Sequence, residues 1–155
     1  MKYILAFTLL INVYQTNAQN ERAKSIAYIQ DYYKEFETGY NFDGKSITLS
    51  KNYKATFLDS VFTLTFDQLE SQNQFKQVEI VINFNHILRI EPYGTDVVEI
   101  RDHDPYMIPI TGKLAFITEN QIHEINIYYE VDEDVELSTI FLSFDKLIKL
   151  NQGQQ

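Results

Sequence analysis

The densest group of side chains able to do chemistry is the run Arg101-Asp102-His103-Asp104-Pro105, an imidazole between two carboxylates. Such a run offers a general base with an orienting partner, or half of a metal site. Asp and Pro are also turn formers, so the same residues read as a polar connection between strands. A catalytic site needs groups converging from elsewhere in the chain, and the other histidines are His86 and His123. Neither has a histidine four residues on, so no H-E-x-x-H zinc helix is encoded. A second window, residues 130–136, gathers Glu130, Asp132, Glu133, Asp134 and Glu136. Its oxygens suit a calcium ion, but the window lacks the spacing and the central glycine of an EF-hand loop. A helical pattern begins there, so the charges read better as complements to a helix N-terminus. Third, Tyr28, Tyr32, Tyr33, Tyr40 and Tyr53 crowd the front of the chain. They would make a carbohydrate or peptide platform, or pack a helix against a sheet edge, and packing is the expectation.

What is missing narrows the chemistry further. There is no cysteine, hence no disulfide framework, thiol nucleophile or thiolate metal site. No G-x-S-x-G elbow, P-loop or dinucleotide fingerprint occurs. The chain has 22 acidic against 13 basic residues and a formal charge of −9. That balance argues against nucleic acid, which calls for a basic face. On these grounds no residue is assigned as catalytic, cofactor-binding or metal-ligating, and no cofactor is expected.

The elements that must position these groups begin after an export signal. Lys2 precedes a mainly apolar run from Tyr3 to Tyr14, and Thr16-Asn17-Ala18 supplies the small residues of a cleavage site. The run is shorter than the roughly 20 apolar residues of a membrane span. No basic stop-transfer cluster follows it. Residues 1–18 are therefore expected to be a signal peptide and 19–155 a single α+β domain, periplasmic or secreted. Within that domain Ile26, Ile29, Tyr33 and Phe36 recur at helical steps, with Gly39 as the expected stop. The period then changes to two. Ile47 and Leu49, Tyr53 to Phe57, Phe62 to Phe66, Val78 to Phe84, Val98 and Ile100, Leu114 and Phe116, and Ile125 to Tyr129 make about seven short strands. Turns are expected at Leu58-Asp59-Ser60, Ser71-Gln72-Asn73, Tyr93-Gly94-Thr95-Asp96, Thr111-Gly112 and Glu119-Asn120-Gln121. Leu137, Ile140, Phe141, Phe144, Leu147 and Ile148 return to a helical stripe, and a polar tail expected to fray follows from Asn151.

A helix, about seven antiparallel strands in a meander and a closing amphipathic helix bury their apolar faces together as a strongly bent sheet or open barrel. In that pattern, over residues 44–150, the chain resembles the pleckstrin-homology-like superfold. Its ending, from Phe141 to Leu150, also looks like that of small secreted bacterial proteins of unknown function. The chain departs from pleckstrin-homology domains in having no tryptophan in the last helix and a helix ahead of the strands. The alternative fold is an NTF2-like α+β roll. Lipid-binding members of the superfold use basic residues near the first strand turn, where this chain has Lys51 and Lys54. Two lysines on so acidic a chain are poor bait for anionic lipid, so no specific membrane lipid is expected. The leading functional expectation is a non-enzymatic module binding a protein or peptide at a sheet edge or beside the closing helix. Two alternatives stand beside it. One is a small hydrolase or metal-dependent enzyme centred on Asp102, His103 and Asp104. The other is an inhibitor or immunity-type protein with an acidic binding face. Oligomeric state is not legible.

Overall fold

A computed structural model describes residues 2–42, 45–71, 74–94, 111–128 and 134–153. Helix α1 (Lys2–Lys34) is followed by β1 (Thr38–Phe42), β2 (Lys45–Leu58), β3 (Val61–Ser71) and β4 (Gln74–Asn83). A 3-10 turn at Phe84–His86 then leads into β5 (Arg89–Gly94), β6 (Thr111–Ile117) and β7 (Ile122–Tyr128), and helix α2 (Asp134–Asn151) closes the chain. The strands divide into two antiparallel sheets, β1-β2-β3-β4 and β5-β6-β7, each in sequence order. The expected α+β order of helix, meander and helix is present, with the meander split into sheets of four and three strands.

The core follows from the periodicities. Ile29, Tyr33 and Phe36 bury one face of α1 and its exit, while Ile26 is half-buried against the same cluster. Phe62, Leu64 and Phe66 point inward from β3, and Ile82 from β4 with Val78 and Ile80 half-buried beside it. Ile125 and Ile127 join them from β7, and β6 is buried on both faces at Leu114, Ala115 and Phe116. Helix α2 lays Ile140, Phe144, Leu147 and Ile148 on this assembly. Phe144 meets Phe62 and Phe116 edge to face, each at 5.1 Å between ring centres. Such a geometry adds to the apolar burial itself.

Several expected boundaries move, for identifiable reasons. Gly39 does not cap α1, which ends at Lys34. It lies in β1 opposite Thr48, next to a register shift, where an added Cβ would collide with the Ile47 carbonyl oxygen. The glycine is there for close strand approach. The two short strands expected around Ile47 and Tyr53 are one 14-residue strand, β2. Its polar middle is a bulge between Lys51 and Lys54, where Asn52 takes φ 58°. Asparagine tolerates that left-handed conformation better than most residues, and its side chain donates to Asp67 at 2.7 Å. Thr111 and Gly112 begin β6 rather than a turn. Strand β5 was hidden by Pro92 and by a pattern with few apolar residues, whereas Val98 and Ile100 lie outside the described residues. The turns at Asp59 and at Thr118 to Gln121 form as expected.

The polar end of α2 is engaged rather than frayed. Asn151 caps back to the Leu147 carbonyl at 2.6 Å and accepts from Arg22 Nη1 at 2.9 Å. Gln152 donates to the carbonyls of Phe84 at 2.9 Å and Ile87 at 2.7 Å, pinning the connection between the two sheets. Gly153, at φ 69°, then ends the helix in the left-handed conformation glycine permits.

Candidate functional site

The site at one end of the molecule starts from the alternation of β4. Burying Ile82 turns its neighbours Val81 and Asn83 outward. Asn83 then ends the strand by accepting from the Asn85 amide at 3.0 Å, which starts the 3-10 turn. The Asn85 side chain donates to Ser60 Oγ at 3.1 Å, and Gln152 holds the following carbonyls. Leu88 closes the connection through its amide, bonded to the Ile117 carbonyl at 2.8 Å. Opposite, Thr118 organises the turn between β6 and β7. Its amide and hydroxyl both donate to the Gln121 carbonyl at 2.9 Å, and its hydroxyl accepts from the Gln121 amide at 3.0 Å.

Between these two hydrogen-bonded connections lies an open cleft of about 910 Å³. Carboxamides line it at Asn83, Asn85, Asn120, Gln121 and Gln152, together with the apolar Val81, Ile87 and Leu88. Val81 and Leu88 leave large parts of their side chains exposed, at 47 % and 65 %, and Ile122 beside the cleft is 60 % exposed. His86, Thr118, Glu119 and His123 add to the polar lining. Carboxamides offer both donors and acceptors without charge, so the lining matches peptide-like amide groups. The apolar positions supply the area that makes such contacts worthwhile.

The cleft brings together two of the three histidines, which the sequence left separate. His86 sits on the exposed 3-10 turn and His123 is half-buried near the start of β7. Among the described residues no group of three His, Cys, Asp or Glu side chains is placed to hold a metal ion. The run Asp102-His103-Asp104 lies outside the described residues, as does the front of the acidic window at 130–133. Helix α2 starts at Asp134, the position the acidic window predicts for a helix N-terminus.

The other sequence candidates have structural places. Tyr33 and Tyr53 are buried and stacked at 5.8 Å, with Phe66 stacked on Tyr53 at 4.6 Å. Tyr28 and Tyr32 are half-buried against the same core, so these four tyrosines pack rather than form a platform. Lys51 lies over the Phe75 ring at 4.1 Å, which occupies one of the two lysines considered for lipid.

Sequence reasoning missed the cleft because its lining comes from three separated segments. The one signal available was the concentration of Asn and Gln in Asn83, Asn85, Asn120 and Gln121, at the ends of otherwise apolar strands. No helix among the described residues is long and apolar enough to cross a membrane. No protein-family model matches the chain, no curated protein matches its sequence, and no solved structure matches its fold.

Proposed function

We propose that the chain is an exported, pleckstrin-homology-like module that binds an extended peptide segment of a partner protein in the cleft between Val81–Leu88 and Thr118–His123. The observation that carries the reading is the cleft's lining, which combines uncharged amide side chains with exposed aliphatic ones on two pinned connections. Walls already tied by hydrogen bonds lower the ordering cost of binding on the protein's side. The pleckstrin-homology-like reading rests on the order of an antiparallel meander followed by the closing helix α2. Export is supported by the order of charge, apolar run and small residues at the N-terminus.

The test is an amide chemical-shift titration with a pooled library of blocked, uncharged heptapeptides built from Ala, Ser, Thr and Val. Binding is expected to move resonances at residues 81–88, 118–123 and 152. Val81→Arg, at a position that is largely exposed, is expected to abolish the response while leaving the rest of the spectrum in place. Shifts confined to other surfaces, or none at all, would sink this reading.

A further inference from the structure

The carboxylates of β5, β7 and the turn between β6 and β7 are unequal. Glu91 is paired with Arg89 at 2.8 Å, and Glu124 with Lys113 at 2.7 Å. Glu119, which lines the cleft itself, makes no salt bridge among the described residues. Its position is fixed by the backbone. It is the second residue of a four-residue turn that the Thr118 hydroxyl ties together through the amides of Asn120 and Gln121. Among the described residues no lysine or arginine lines the cleft to neutralise it, and the other ionisable groups there are His86 and His123. The whole chain, at a formal charge of −9, adds a field of the same sign.

We infer that the cleft selects a segment carrying a lysine or arginine, and that Glu119 is the residue that reads it. The inference rests on the peptide-binding reading of the cleft. The carboxamides and aliphatic side chains accommodate the segment's backbone and small side chains, and Glu119 supplies a negative charge that distinguishes among them. A basic side chain reaching the turn gains a charge-assisted hydrogen bond, and an acidic one meets repulsion from both Glu119 and the chain as a whole. Specificity of this kind uses attraction and rejection together. Because Glu119 is exposed, the pair should be modest, since ion pairs at exposed positions discriminate by about two- to fivefold.

Three pools of blocked heptapeptides test this: uncharged, the same sequences with one Lys, and the same with one Glu. Dissociation constants are measured at low and at physiological salt for the native protein, Glu119→Gln and Glu35→Gln. Glu35 is an exposed carboxylate at the end of α1, outside the cleft lining, so the last variant makes the same change in net charge elsewhere. The expected order for the native protein is Lys pool, uncharged pool, Glu pool from tightest to weakest. In Glu119→Gln the preference for the Lys pool over the uncharged pool should shrink about two- to fivefold, and in Glu35→Gln it should persist. Binding of all three pools with equal affinity, or a Lys preference that survives Glu119→Gln, would overturn the role of Glu119 and leave the cleft reading standing. Failure of every pool to bind would overturn both.

Discussion

Two buried regions hold the same molecule together by different means. Around α2, Phe62, Phe84, Phe116 and Phe144 form a wedge of rings without a polar atom among their side chains. Around α1, Tyr33 and Tyr53 stack within a cluster threaded by hydrogen bonds. The Tyr33 hydroxyl donates to the Asn126 carbonyl at 2.8 Å, and Asn126 Nδ2 donates to the Tyr53 hydroxyl at 3.4 Å. Tyr53 in turn shares a hydrogen bond with Ser50 Oγ at 2.7 Å, and Ser50 bonds Thr38. No described buried side-chain nitrogen or oxygen is left without a partner. The wedge is held by close packing and by the edge-to-face contacts of its rings, without any polar partner. The hydroxyl chain fixes one arrangement of α1, β1, β2 and β7, because each partner is needed at one distance.

The wedge should carry the largest single-residue effect. Phe144 is fully buried and touches Phe62, Phe84 and Phe116. Phe144→Ala is expected to cost about 3–5 kcal/mol in urea melts, the usual range for emptying a phenylalanine site. A loss below about 1 kcal/mol would show that α2 is not held there, and the contrast between the regions would collapse. The next effect tests the polar region through its backbone. In β1, Gly39→Ala places a methyl group against the Ile47 carbonyl, and strand separation there should cost about 1–3 kcal/mol, as overpacking does. Because Thr38 is the adjacent residue, the same variant should weaken protection of the β1 and β2 amides in hydrogen exchange. Unchanged stability would mean that β1 is loosely held and that the hydroxyl chain does not position it.

That contrast also explains what could be read in advance. The wedge was legible because one-sided burial imposes a period. Ile140, Phe144, Leu147 and Ile148 show it for α2, and Phe62, Leu64 and Phe66 for β3. The hydroxyl chain was not legible, because Thr38, Ser50, Tyr53 and Asn126 are scattered over 89 residues of the sequence and meet only through sheet pairing and the docking of α1. The bulge at Asn52 broke the alternation of β2, so one long strand read as two short ones. The cleft escaped for the same reason as the hydroxyl chain. Its two walls, at 81–88 and 118–123, belong to different sheets, and no local pattern records which loops face each other.

Alkaline pH separates the two regions, since only one of them contains a titrating group. Burial, with smaller contributions from Tyr32 and Tyr53, raises the Tyr33 phenol well above its ordinary value near 10. The folded state therefore keeps the Tyr33 proton at a pH where the unfolded chain releases it. A raised folded-state value means that the stabilisation is complete below about pH 10 and is lost as pH rises from there towards the folded-state value. In that window stability should fall by up to about 1.4 kcal/mol per pH unit, one proton's worth, on account of Tyr33. Tyr33→Phe should be less stable at neutral pH, having lost the bond to Asn126, yet show a shallower alkaline slope. Equal slopes for the two proteins between pH 10 and 11.5 would place Tyr33 in contact with solvent. A smaller effect is expected from Tyr53→Phe, which keeps both ring stacks and removes one hydroxyl. Ser50 retains Thr38 as a partner, so the cost should be about 1 kcal/mol. A loss as large as that of Phe144→Ala would mean that the hydroxyl chain, not the rings, dominates this region.

The smallest effect lies where the two regions are tied at the surface. Glu21 of α1 pairs with Lys146 of α2 and with Lys24 at 3.0 Å, while Arg22 reaches both Asn151 and the Asp59 carbonyl. The hydrogen bond from Lys146, followed by that from Lys24 and the charges of both lysines, lowers the Glu21 carboxyl below its ordinary value of 4.5. A lowered folded-state value gives stability that is present above pH 4.5 and lost as pH falls through the folded-state value, because the unfolded chain takes up the proton first. Both side chains of the pair are partly open to solvent, so water and salt screen it and the effect on melting should be close to the limit of measurement. The titration itself is the sensitive readout. Followed by carboxyl NMR, Glu21 should have a midpoint below that of an ordinary glutamate, and Lys146→Ala should move it upward while leaving α2 docked through Phe144. A midpoint that ignores Lys146→Ala would show that this surface tie does not persist in solution. In that case the two helices would be joined by the wedge and the hydroxyl chain alone.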